Sequence, residues 1–163
     1  MLNSCFKQMP NERKRVPRAT PVGGPLPGTN FESRAFTALW NNSKSLKIRE
    51  LWRCNSARHD GYLETTKGEI ILLEMKECLG WGALQAASAE FLMGKGLLDL
   101  EAQRAIIVFE RVSREWSQIR PYGAWGQLAL HSSEFSPYLQ IGGLQVLRDG
   151  AIRTSPGPDN TSF

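Results

Sequence analysis

Asp60-Gly-Tyr-Leu-Glu-Thr-Thr-Lys-Gly-Glu-Ile-Ile-Leu-Leu-Glu-Met-Lys76 reads as two short strands joined by a tight turn at Thr66-Lys67-Gly68. The run Ile70 to Leu73 is aliphatic on both faces of the pleat, which predicts a central strand covered on both sides. That strand is expected to end in the charged triplet Glu74-Met75-Lys76. Side chains alternate across a strand, so Glu74 and Lys76 share a face about 7 Å apart while Met75 points the other way. A three-residue turn with Gly68 in the left-handed position pairs Thr65 with Glu69. Counting back along that ladder sets Asp60 opposite Glu74. Two carboxylates about 5 Å apart on one face repel each other unless a cation lies between them.

The flanking sequence supplies further elements. Thr29 or Asn30 can cap a helix starting at Phe31, with Phe31, Ala35, Ala38 and Leu39 forming its apolar stripe and Asn41-Asn42 its end. Glu32 lies in the first turn, where the helix dipole favours an acid whether or not it has a functional role. Leu46 to Trp52 is predicted as a strand whose alternation breaks at Leu51-Trp52. Beyond Lys76, the alanine-rich run Leu79 to Leu92 has helical spacing and is expected to stop at Gly94 and Gly96. Gln85 falls one turn into it. Arg104 to Glu110 is a second buried strand. Between 111 and 140 the pattern supports a short helix at Glu115 to Ile119, a turn at Pro121-Tyr122-Gly123, and a helix or strand from Trp125 to Leu130. Leu144 to Leu147 and Ala151 to Thr154 form a terminal hairpin through Asp149-Gly150.

The order helix, strand, strand, strand, helix, strand, with Asp60 opening the second strand and Glu74-x-Lys76 closing the third, resembles the PD-(D/E)XK nuclease superfamily over residues 29–110. Glu32 and Gln85 are softer agreements with it. The resemblance implies an α/β fold with a mixed central sheet flanked by helices, a restriction-endonuclease-like αβββαβ core. It also implies a Mg²⁺ (or Mn²⁺) ion held by Asp60, Glu74 and the main-chain carbonyl of Met75, with Glu32 as a further candidate ligand. Lys76 and Gln85 would contact the water or the scissile phosphate. The proline that names the motif is replaced by His59, a position at which many members vary.

Phosphodiester hydrolysis explains why these residue types suit each other. A hard cation polarises the phosphoryl oxygen and generates hydroxide near neutral pH, and Mg²⁺ takes one or two carboxylates with waters and substrate oxygens. Lys76 offers a point charge for the phosphate or the water. A solvated strand end with Glu74 merely paired to Lys76 would leave unexplained why a doubly buried strand ends in charge facing a third charge. For Gln85 an ordinary helix-surface position competes with a phosphate contact, and for Trp81 helix-start packing competes with base stacking. His59 reads better as a loop residue than as a base. Cys54, His59, Cys78 and His131 match no zinc-knuckle spacing. The expected function is therefore a metal-dependent endonuclease on nucleic acid, DNA in preference to RNA, with a homodimer as one way to cut two strands. The alternative is a non-catalytic nucleic-acid-binding or interaction module on the same fold.

Length and composition agree with one domain: 163 residues, 41% hydrophobic and 22% charged. The net charge of +4 is carried by Lys7, Arg13, Lys14, Arg15 and Arg18 against Glu12, so the remainder is neutral. Residues 1–28, rich in Pro and Gly, read as a disordered tail whose Arg13-Lys14-Arg15 cluster could hold phosphates. Residues 29–154 read as the nuclease-like domain and 155–163 as a disordered end. Three cysteines without paired spacing argue against a disulfide framework. No apolar run long enough for a membrane span and no secretory signal is found, so a cytoplasmic protein without a membrane partner is expected.

Overall fold

A computed structural model describes residues 19–55, 60–98, 102, 104–118 and 139–154, without the side chains of 92–98. The hairpin sits at the centre of its sheet. Strand β3 (Gly61–Thr65) and strand β4 (Ile70–Leu79) pair antiparallel with Gly61 opposite Leu73 and Glu64 opposite Ile70. The Thr65 amide donates to the Glu69 carbonyl at 2.9 Å, the Gly68 amide donates to Thr65, and Gly68 has φ +85°. This is the register expected from the turn, and only glycine takes that left-handed position at no steric cost.

Around the hairpin, β1 (Ala19–Pro21), β2 (Ile48–Cys54), β5 (Arg104–Val112), β6 (Gln140–Val146) and β7 (Ile152–Arg153) complete a seven-stranded mixed sheet whose spatial order is the chain order. β4, β5 and β6 run parallel and the other neighbours antiparallel. Helix α1 (Phe31–Asn41) covers one face through Phe31, Ala35, Phe36, Ala38 and Leu39, packed on Leu51, Leu63, Ile71, Leu73 and Met75. Helix α2 (Trp81–Leu98), with the short α3 (Arg114–Ser117), covers the other through Leu84, Ala87, Phe91 and Trp116, packed on Tyr62, Leu72, Ile107 and Phe109. The protein is thus α/β with a mixed sheet between helices.

Several expectations are corrected. β4 does not end at Glu74-Met75-Lys76 but continues to Leu79, because β5 pairs with it in parallel, Glu74 beside Ile107 and Lys76 beside Phe109. The helix after it starts at Trp81 and runs through Gly94 and Gly96. β2 begins at Ile48 rather than Leu46, since the turn after α1 runs on to Lys47 at φ 57°. The irregularity in β2 is a register shift between Ile48 and Glu50, while Leu51 and Trp52 are both buried on opposite faces. The tail is not disordered as far as residue 28: Ala19 to Pro21 pair with Cys54 to Trp52, and Val22 is buried. Composition hid this because an edge strand uses only alternate amides. The Val22 amide donates to the Leu51 carbonyl at 2.8 Å, so the adjacent Pro21 faces a position that needs no donor. The basic cluster at 13–15, the readings between 119 and 138, and the C-terminal end lie outside the described residues.

Candidate functional site

Where β3 stops, β4 continues without a paired strand on that side among the described residues. β3 begins at Gly61 opposite Leu73, so from Glu74 onward β4 keeps β5 as a neighbour but has no β3 residue across from it. The chain entering β3 places Asp60 in this gap, with its amide donating to the Leu73 carbonyl at 3.1 Å and its carboxylate Oδ2 accepting from the Met75 amide at 2.6 Å. In a strand the N–H and C=O of one residue point to the same side. The Met75 carbonyl is therefore directed to the same gap as the amide that Asp60 holds.

Glu74 is the unusual member. It is 5% exposed in the middle of a two-faced strand, and among the described residues its Oε2 has no hydrogen-bond partner. Its Oε1 lies 3.5 Å from Lys76 Nζ, a long ion pair with a half-buried lysine. Burial first, then the charge and hydrogen-bonding reach of Asp60, push the Glu74 carboxyl up to about 9, against a downward pull from Lys76 and a further upward push from Glu90. Near neutral pH and without a cation, Glu74 thus holds a proton and Asp60 faces it. Cys54 adjoins the pair, its amide donating to the Asp60 carbonyl at 2.8 Å. Burial, with Asp60's charge adding, pushes that thiol up to about 12, so it is no nucleophile.

Asp60, Glu74, Lys76 and the Met75 main chain are brought together; Glu32 and Gln85 are not. Glu32 binds Arg53 Nε at 3.2 Å. Arg53 pairs with Gly61, on the face that receives Phe36 of α1, whereas Asp60, Glu74 and Lys76 belong by alternation with Tyr62 and Leu72 on the α2 face. Gln85 is exposed on α2 and forms no hydrogen bond with the site among the described residues. α2 turns Leu84, Ala87, Ser88 and Phe91 toward the sheet. Gln85 falls about 110° to one side of that direction. In a right-handed β4–α2–β5 connection, this is the flank over β5, away from Asp60.

Glu90 was not singled out from the sequence. It falls about 110° to the other side, over β3 and β4, and is half-buried. A signal was present: Glu90 is the single acid in the eighteen residues of α2.

Among the described residues no three His, Cys, Asp or Glu side chains are gathered into a metal cluster. Two carboxylates and a carbonyl nevertheless fit Mg²⁺, which keeps several waters, and Glu74 Oε2 is a buried oxygen without a hydrogen-bond partner among the described residues. A cleft of about 280 Å³ lies elsewhere, between Trp40, Pro21, Val22, Ile48 and Leu51, and contains none of these groups. Among the described residues no helix is long and apolar enough to cross a membrane. Comparison with protein-family models, with curated proteins and with solved structures returns no match, and the functional reading rests on the geometry of the site.

Proposed function

We propose that this chain is a metal-dependent nuclease that hydrolyses phosphodiester bonds of nucleic acid, DNA in preference to RNA, on a restriction-endonuclease-like αβββαβ core. The observation that carries the reading is Glu74, a buried and half-unpartnered carboxylate aimed at a second carboxylate where the neighbouring strand has ended. An arrangement that costs stability in the resting protein is expected where a cation offsets it.

Asp60, Glu74 and the Met75 carbonyl would hold Mg²⁺ or Mn²⁺. When bound, the ion supplies Lewis-acid polarisation of the phosphoryl oxygen and a more acidic attacking water. The chain supplies the rest. Glu74 would give its proton to solvent to serve as an anionic ligand; Asp60 is held in place by the Met75 amide, and Lys76 lies beside Glu74 with its side chain 26% exposed. Its ammonium is placed to orient a water or to offset charge gathering on a phosphate.

A cleavage assay on labelled single-stranded, duplex and branched DNA and RNA, with and without Mg²⁺, tests this directly. The parent should cut one or more substrates only with metal, and Lys76→Ala should lower the rate roughly 10²-fold or more while leaving the fold intact. Absence of metal-dependent cleavage over the whole panel, or a Lys76→Ala rate within a few-fold of the parent, would overturn the proposal.

A further inference from the structure

We propose that Glu90 is the third carboxylate of this site, a positioning residue that holds a water on the bound ion from the α2 side; the inference rests on the metal-site reading above.

Three lines of reasoning, from element bounds and burial with ideal helix and strand dimensions and a right-handed crossover, place it there. First, α2 runs back along β4, and the axial distances match: Glu90 lies about 13 Å along the helix from Trp81, and Met75 about 13 Å along the strand from Leu79. Glu90 is therefore level with Met75 and Glu74, whereas Gln85, about 6 Å down the helix, is level with the exposed stretch Glu77-Cys78. Second, the inward face set by Leu84, Ala87, Ser88 and Phe91 leaves Glu90 on the flank over β3 and β4, where Asp60 enters. Third, Glu90 is half-buried and is the one acid of its helix.

Direct ligation does not fit, because Glu90 does not join Asp60 and Glu74 in a close cluster. A water-mediated contact is the role proposed, since Mg²⁺ retains waters that need acceptors. Three acids against Lys76 also favour a divalent over a monovalent ion. Partners that hold a metal's outer shell typically change affinity 10- to 100-fold when removed.

The test is a Mn²⁺ titration, followed by the electron paramagnetic resonance signal of free Mn²⁺, on the full chain and on Glu90→Gln, Glu90→Asp, Gln85→Ala and Asp60→Asn, each first shown to be folded by its melt in EDTA. The parent should bind, Asp60→Asn should lose binding, and Glu90→Gln should weaken it about 10-fold. Glu90→Asp, which keeps the charge on a shorter arm, should fall between, and Gln85→Ala should match the parent. Because a like charge is removed, Glu90→Gln should melt no lower than the parent in EDTA. If Glu90→Gln binds within two-fold of the parent while Asp60→Asn does not bind, Glu90 has no such role and the metal site stands. If Glu90→Gln does not fold, Glu90→Asp decides, and parent-like affinity in a variant whose arm is too short would overturn the water-mediated role. If the parent binds no Mn²⁺, the metal reading falls and this inference with it.

Discussion

At Glu74 the side chain is ordinary and the environment is not. Its carboxyl titrates near 9 in the folded chain, above the ordinary value of 4.5. Between those values the folded protein holds a proton that the unfolded chain has released. The stabilisation is fully present below about pH 4.5 and is lost as pH rises toward 9, by at most about 1.4 kcal/mol per pH unit. In EDTA the melting temperature should therefore fall steadily from pH 5 to pH 9. Glu74→Gln, which keeps the shape and cannot ionise, should flatten that slope. Parallel profiles for the two proteins would assign the pH dependence to other groups. Glu110 does not interfere in this window: its carboxyl is held below the ordinary range first by the Arg34 hydrogen bond at 2.7 Å and then by Arg148, so its contribution is lost only at acid pH.

Among the elements, the junction of β2 and β3 is the tightest constraint near the site. A Cβ on Gly61 would run into the Trp52 carbonyl oxygen and come within 2.8 Å of the Phe36 ring, and neither a strand carbonyl nor a fully buried ring can move aside. Gly61→Ala should push β2 and α1 away from β3 and cost about 1–3 kcal/mol, read as a shift of the urea midpoint. Gly82 is the contrast. Nothing lies within 4 Å of its Cβ position, in the first turn of α2, so Gly82→Ala should leave stability unchanged or raise it by up to about 1 kcal/mol. Equal midpoints for the two variants would mean that β3 is not seated as described. The same seating starts β3 at residue 61 and opens the gap that Asp60 enters.

For the whole molecule, the opposed carboxylates predict a reversal of rank order. Asp60→Asn keeps an oxygen for the Met75 amide and removes one charge from the pair, so in EDTA above about pH 9, where both carboxyls are ionised, it should be at least as stable as the parent. In saturating Mg²⁺ or Mn²⁺ the parent should gain about 1.4 kcal/mol at ten times Kd, and the variant, lacking a ligand, little. Thermal melts across a metal titration read both halves of the claim. An Asp60→Asn protein less stable than the parent in EDTA at that pH, with both melts indifferent to metal, would mark Asp60 as a structural anchor of β3.

The hairpin register was legible in the sequence because it is local. Gly68 demands a left-handed turn, the turn sets Thr65 against Glu69, and the period of two carries Asp60 to Glu74 without reference to any other part of the chain. The α1 cap at Asn30, whose side chain accepts from the Ser33 amide at 2.8 Å, was legible for the same reason. Tertiary structure alone decided the rest. The extension of β4 past Lys76 depends on β5, about thirty residues away in the chain, and it converts an expected strand end into a buried carboxylate. Glu32 was claimed by Arg53 across the α1 face, a competition between partners that no spacing reveals. Gln85 and Glu90 stand on the same helix with equal claims by residue type. Which one overlooks the site is set by the hand of the crossover and the length of β4, properties of the folded sheet that no single segment carries.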